Sequence, residues 1–258
     1  MVDYIANLAA KAEARIGRGY YDNIPTGKRS SKSLVETIRK LENTPVITEI
    51  KFASPSAGKI REPEDPLQIA TEMLKGGACA ISVVTDPDDF QGNLDTLANL
   101  SRLAEVPLIM KDIIVSPSQV QAAARAGARA IVLISELFSR RLADEPLDRV
   151  VREANTLGVE VLLEANSPAE FGKLPGHRPD LYGINNRNLS TFKLDLSTTE
   201  RVLAMNRHLD RPVVSESGID HPRDIVRLKK AGANAFLVGT SIMKALDVES
   251  KVRELVNA

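Results

Sequence analysis

The sequence holds one cysteine, Cys79, no tryptophan and three histidines in 258 residues. A lone cysteine excludes an intrachain disulfide and any cysteine-based zinc site. His177, His208 and His221 lie apart, without metal-ligand spacing, and read as surface residues. Phe, Tyr and Trp make up 4% of the chain, too little for the stacking platforms that bind single-stranded nucleic acid. Charge of one sign is also missing, since 34 Lys and Arg offset 34 Asp and Glu. Without a positive field, DNA, RNA and anionic membranes are excluded as main partners. No apolar run approaches ~18 residues, so no membrane span is expected. The N-terminal stretch has no basic start followed by an apolar run, so no signal peptide is expected. These absences lead to the expectation of a soluble cytoplasmic protein, and no obligate protein partner is evident. GxGxxG and GxSxG are absent. Gly27-Lys28-Arg29-Ser30 imitates the end of a P-loop, but Asp22 stands where the first glycine belongs.

What is present is a hydrophobic share of 43%, enough for a sizeable core, and a recurring phrase. It reads Gly76-Gly77-Ala78-Cys79-Ala80-Ile81, then Ala126-Gly127-Ala128-Arg129-Ala130-Ile131, then Ala231-Gly232-Ala233-Asn234-Ala235-Phe236. Each copy ends a helical pattern on a glycine, the residue that stops a helix in the left-handed conformation, and opens an apolar run. Gly77 and Gly127 are 50 residues apart, and Gly127 and Gly232 are 105 apart. At roughly 25 residues per β-α unit, the copies open strands two, four and eight of one repeating chain. The eight expected strands are Val46–Ile50, Ala80–Thr85, Pro107–Lys111, Ala130–Ile134, Val159–Glu164, Leu181–Asn185, Pro212–Glu216 and Ala235–Gly239. Short apolar runs of this kind suit parallel strands buried on both faces. Pro117, Pro168 and Pro222 fall where first helical turns begin.

The pattern predicts a single-domain α/β protein, a (β/α)8 TIM barrel over residues 46–258 with an N-terminal helical extension over 1–45. A doubly wound sheet is the alternative. In the extension, Ile5, Leu8, Ala12 and Ile16 share one helical face, and Ser33-Leu34-Val35-Glu36 is a capping box opening a second helix. The polar stretch Gly17–Lys32 between them reads as a mobile loop.

Barrel chemistry sits at the C-terminal strand ends. Strand one ends Glu49-Ile50-Lys51, and the two charged residues, two positions apart, both face the mouth. Strand three ends in Lys111, strand five in Glu164, strand six in Asn185 followed by Asn186-Arg187, and strand seven in Glu216. Any one of these alone could be a solvated loop residue or a structural ion pair. Two lysines, three glutamates and an asparagine at one end of different strands point to acid–base chemistry. Ser217-Gly218-Ile219 and Gly239-Thr240-Ser241, after strands seven and eight, suggest a phosphate seat.

At these residues the chain resembles the indole-3-glycerol phosphate synthase family. The matching segments are Glu49–Ser56, Ile81–Thr85, Phe90–Gly92, Pro107–Asp112, Gly183–Leu189, Ser215–Ile219 and Ala235–Gly239, in family order from strand one to strand eight. The resemblance implies ring closure, decarboxylation and dehydration of a carboxyphenylamino-deoxyribulose phosphate, with no cofactor and no metal. By position, Lys111 is implied as general acid and Glu164 as general base. Lys51 is implied to bind the substrate carboxylate and assist dehydration, and Glu49 to hold the lysines. Asn185 and Glu216 would orient hydroxyl groups, and Arg187 would brace the mouth. Ser54, Ser217, Gly218, Gly239 and Thr240 match the phosphate cradle, and Phe90 and Ile113 the apolar wall for the aromatic ring. The chain departs from the family pattern at Phe52-Ala53, at Ile113 where Phe is usual, at Ala165-Asn166 after Glu164, and at Asn93 after Gly92. Two other readings remain open at this point. One is a Schiff-base lysine at position 51 or 111. The other is a phosphate-binding barrel without catalysis.

Overall fold

The structure, a computed structural model, describes residues 3–62 and 64–258. Eight parallel strands close into a barrel: β1 Val46–Ile50, β2 Ala80–Val84, β3 Leu108–Lys111, β4 Ala130–Ile134, β5 Glu160–Ala165, β6 Leu181–Asn185, β7 Val213–Glu216 and β8 Ala235–Val238. Each pairs with the next in sequence, and β1 closes on β8 through Val46↔Phe236 and Thr48↔Val238. This is the expected (β/α)8 barrel. The three glycine-ended phrases open β2, β4 and β8, and Gly77, Gly127 and Gly232 have φ of 99°, 88° and 111°. A side chain would be strained at such angles, which is why glycine recurs there. Pro117, Pro168 and Pro222 each occupy a first helical turn.

The strands sort their side chains by alternation. Ile47, Ile109, Val132, Leu162, Leu181, Val214 and Leu237 fill the barrel interior as one buried cluster. Their neighbours, such as Val46, Ile81, Leu108, Val161 and Phe236, face the outer helices in another. Continuing the inner set two residues at a time leads from Ile47 to Glu49 and Lys51, from Ile109 to Lys111, from Leu162 to Glu164, from Leu181 to Gly183 and Asn185, and from Val214 to Glu216. The pattern that builds the core therefore also aims the polar residues into the mouth.

The N-terminal extension wraps both ends of this barrel. Helix α1, Tyr4–Gly17, packs Ile5, Leu8, Ala9 and Ala12 against Ile113, Val115, Ile134 and Leu137 near the C-terminal strand ends. Helix α2, Leu34–Lys40, joins Leu34, Val35 and Ile38 to the inner cluster beside Cys79, Ala80, Ala130 and Ala235, small residues near the strand starts. The expected mobile loop between the helices is corrected. Tyr21 and Ile24 are buried in the core, and Gly27 lies so close to the barrel helices that a Cβ would sit 2.0 Å from the Ala126 carbonyl oxygen. That contact, rather than phosphate binding, accounts for the glycine before Lys28. The predicted capping box forms in half: Ser33 Oγ accepts from the Glu36 amide, while Glu160, from the start of β5, accepts from Ser33 Oγ and from the Leu34 amide at 2.7 Å.

Glu160 also meets Arg129 at 3.3 Å, so it ties α2 to the barrel floor. Glu160→Ala would leave the buried Leu34 amide without a partner, a loss of about 1–3 kcal/mol. Urea unfolding of the variant is expected to show the midpoint lowered accordingly. An unchanged midpoint would contradict the assigned role.

Candidate active site

A cavity of about 530 Å³ opens at the C-terminal end of the barrel. All fourteen residues singled out from the sequence line it. They are Glu49, Lys51, Ser54, Phe90, Lys111, Ile113, Glu164, Asn185, Arg187, Glu216, Ser217, Gly218, Gly239 and Thr240. Residues from seven strands and the loops that follow them thus converge, the charged ones as the parity of the strands requires.

The charged centre is compact. Lys111 Nζ stands 3.6 Å from Glu164 Oε2 and 3.9 Å from Glu216 Oε2, within ion-pair reach of both and in hydrogen-bond contact with neither. Lys51 Nζ pairs with Glu49 Oε1. Asn185 Nδ2 donates to Glu164 Oε1 at 3.1 Å, and Asn185 Oδ1 accepts from the Arg187 amide at 3.0 Å. The glutamates are almost entirely buried, whereas Lys111 keeps 24% of its side chain open to the cavity. Glu49 Oε2, Glu164 Oε2 and both Glu216 oxygens are buried without a hydrogen-bond donor. Of these, Glu164 Oε2 and Glu216 Oε2 are the two oxygens that face the Lys111 ammonium. Glycine makes the crowding possible. A Cβ at Gly183 would stand 2.7 Å from Glu216 Oε1, and one at Gly239 would stand 2.4 Å from Glu49 Oε1.

Burial and charge pull the titrations apart. Burial, the largest influence on Lys111, would lower its pKa, but Glu164, Glu216 and Glu49 together outweigh it and hold the ammonium above the usual lysine range. Burial would raise Glu49, yet Lys51 and then Lys111 hold it below the usual carboxylate value. Glu216 goes the other way. Burial, then the neighbouring Glu164, raises it well above the ordinary value against the pull of Lys111.

The rest of the cavity divides into a polar seat and an apolar wall. Ser217 and Gly218, with φ of 69° and 79°, turn the chain sharply above β7 and bring Ser217–Asp220 along the rim. Gly239–Ser241 line the cavity beside them, and the exposed Lys244 adds a cation. Ser54 sits in a short hairpin of Ala53–Ser54 and Gly58–Lys59, which the sequence reading missed. Phe90, Ile113 and Ile134 form the wall. Two substitutions against the family pattern find their place here. Ile113 is buried against Ile5, Leu8 and Ala9 of α1, and Asn93 caps the helix Leu94–Ser101 by accepting from the Asp95 amide.

Sequence reasoning missed Tyr4, Leu8 and Phe192, which line the mouth from α1 and from the loop after β6. The Tyr4 and Phe192 rings meet edge to face at 4.6 Å, joining α1 to that loop. Leu8 lay on the predicted apolar face, but amphipathic periodicity does not say which end of a barrel a helix covers. Among the described residues, no group of three or more His, Cys, Asp or Glu is placed to hold a metal ion, and no helix is long and apolar enough to cross a membrane.

Comparison with known proteins agrees with this geometry. The family model described as indole-3-glycerol phosphate synthase matches residues 6–255. An indole-3-glycerol phosphate synthase of Rhodopirellula baltica is 41% identical over 211 residues, covering 82% of this chain and 80% of its own. Another, of Rippkaea orientalis, is 39% identical over 215 residues, 81% of this chain and 72% of its own. Among solved structures, a 3-hexulose-6-phosphate synthase superposes with a TM-score of 0.62 at 14% identity, covering 82% of this chain and 98% of its own, a likeness of fold alone. With the family model spanning nearly the whole sequence and relatives near 40% identity, the chain belongs to the indole-3-glycerol phosphate synthase family.

Proposed function

We propose that this protein converts 1-(2-carboxyphenylamino)-1-deoxyribulose 5-phosphate to indole-3-glycerol phosphate, carbon dioxide and water, a step of tryptophan biosynthesis. The observation that supports this most is Lys111, held as an ammonium among Glu164, Glu216 and Glu49 at the head of a cavity with one polar and one apolar side.

The reaction asks for proton traffic and for folding of a flexible sugar chain. The phosphate sits against Ser54, Ser217, Gly218, Gly239 and Thr240, and the aromatic ring lies on Phe90 and Ile113. Fixing both ends bends the chain so that the ring carbon bearing the carboxylate meets the sugar C2 carbonyl, a proximity that contributes much of the acceleration. Lys111 gives its proton to the carbonyl oxygen as the new carbon–carbon bond forms, and the oxygen becomes a hydroxyl. Loss of carbon dioxide returns the bonding electrons to the ring. Lys51, paired with Glu49, first binds the carboxylate and then protonates the departing hydroxyl, which leaves as water. Glu164, oriented by Asn185, takes the proton from the former sugar C1 as the indole double bond closes. Glu216 and Asn185 hold the sugar hydroxyls, and Arg187, whose Nη1 donates to the Phe192 carbonyl at 3.2 Å, braces the loop over the mouth. The carboxyl groups that raise Lys111 also disfavour it as a Schiff-base nucleophile, which requires a neutral amine.

Indole emission tests the reaction directly, since a chain without tryptophan contributes little background. Purified protein at catalytic concentration is expected to generate indole fluorescence from the carboxyphenylamino-deoxyribulose phosphate. Absence of growth would reject the proposal. Lys111→Ala is expected to lower kcat by about 10²–10⁴-fold, the usual range for a positioned acid. A kcat within a few-fold of the parent would remove Lys111 from that role.

The two glutamates that flank Lys111 have different proposed tasks. Burial and the neighbouring Glu164 favour the neutral form of Glu216, and its proposed task is to hold a hydroxyl group, so Glu216→Gln keeps a neutral polar group in place and kcat is expected to fall by about tenfold or less. Glu164→Gln removes the base and is expected to cost about 10²–10⁴-fold. The reverse order, measured under the same conditions, would show the two roles to be exchanged. Glu49→Gln removes a charge that supports the Lys111 ammonium, so the alkaline limb of kcat is expected to move to lower pH. An unmoved limb would mean that Glu49 does not act on that group.

A further inference from the structure

Behind the strand end that carries Lys111 lies a second buried charge cluster that the steps above do not use. Arg15, in the last turn of α1, has a fully buried side chain. Its guanidinium stands 2.9 Å from Asp86, 2.9 Å from Asp88 and 3.1 Å from Asp112, and its Nε donates to Tyr21 Oη at 3.2 Å. Asp112 follows Lys111 in the chain and borders the cavity, but its carboxylate is turned toward Arg15 of α1.

The Asp112 carboxyl is held from four directions. Oδ1 accepts from Arg15 and, at 2.8 Å, from the Ile113 amide. Oδ2 accepts from Thr85 Oγ1 at 2.6 Å and from Tyr21 Oη at 3.1 Å. Gln119 extends the set by donating to Tyr21 Oη at 3.1 Å and to the Ile113 carbonyl at 2.8 Å, and by accepting from the Val115 amide at 2.8 Å. The Thr85 amide donates to the Lys111 carbonyl at 3.0 Å. The peptide segment from Lys111 to Val115 is therefore fastened on its outer side, while Lys111 and Ile113 face the cavity.

We propose that Arg15 is a positioning residue: through Asp112 and Tyr21 it fixes the backbone of Lys111–Ile113, and in the same contact it sets where α1 presents Tyr4 and Leu8 to the mouth. Its consequence for turnover rests on the proposed reaction. Stability alone does not explain the cluster, because a buried ion pair is worth little more than apolar residues of the same volume. A planar guanidinium with five donors in a rigid fork does something an apolar side chain does not. It fixes the angle between several acceptors on separate segments. Here those acceptors come from the loop after β2, the end of β3 and the connection after α1.

The test compares the parent with Arg15→Met, Arg15→Lys and Asp112→Asn, after thermal melts establish which variants fold. Arg15→Met is expected to lower kcat by about 10–100-fold with KM changed less than about threefold, the pattern of a displaced reacting group. Arg15→Lys, which keeps the charge without the fork, is expected to recover part of that loss. Hydrogen exchange at the Ile113 amide is expected to quicken by about tenfold in the same variants while the rest of the barrel stays protected. Should Arg15→Met not fold, Asp112→Asn is expected to give the same fall in kcat and the same exchange. Parental kcat in a folded variant, a loss confined to KM, or unchanged exchange at Ile113 would each overturn the proposal. If the parent itself forms no indole, the proposed reaction falls, and exchange at Ile113 alone decides whether Arg15 fixes the segment.

Discussion

One ammonium group among three buried carboxyl groups is the constraint around which the mouth of this barrel is organised. The proposed reaction uses Lys111 as an acid, and its negative neighbours offset the desolvation that would otherwise lower its pKa. Those neighbours must not all be charged at once in so small a space. The answer is an asymmetric set. Glu49 is held down by two lysines, and Glu216 is pushed up by burial and by Glu164. Glu49 and Glu216 are thus set apart by environment rather than by residue type, since both are glutamates.

That arrangement depends on strand parity. Each residue of the set continues the inward face of a strand whose lower positions are apolar, so the same alternation that fills the barrel interior delivers charge to its rim. Gly183 and Gly239 belong to this geometry as well, because a methyl group at either place would displace a glutamate. The N-terminal extension then closes the molecule at both ends. Helix α2 seals the floor through Glu160 and three apolar residues, and α1 completes the apolar wall with Tyr4 and Leu8.

Much of this was legible in the sequence, for specific reasons. Glycines stopping helices before β2, β4 and β8 fixed the count of units, because positive φ leaves little alternative to glycine. Strand edges shifted by one residue where an expected strand began at Pro107 or Pro212, since proline has no amide hydrogen for the ladder. Residues of the site were readable because their positions follow from the barrel rule and from short phrases such as Glu49–Ser56. What escaped had no local signature. Tyr21 and Gly27 looked like loop residues, yet they are docked by partners about 90–100 positions away along the chain, a distance that periodicity does not span. Arg15 was hidden for the same reason: an arginine near a helix end is ordinary until Asp86, Asp88 and Asp112 are seen around it.

The state of Lys111 is the point at which the account is most directly exposed. Nitrogen-15 NMR of the lysine side chains, with the Lys111 resonance assigned by its loss in Lys111→Arg, reads that state without any substrate. The account predicts that the Lys111 amine titrates above the ordinary lysine value of about 10.4. Titration clearly below it, approaching neutrality, would mean that burial outweighs the three carboxyl groups, and Lys111 would then be a nucleophile or a base rather than the acid that opens the reaction.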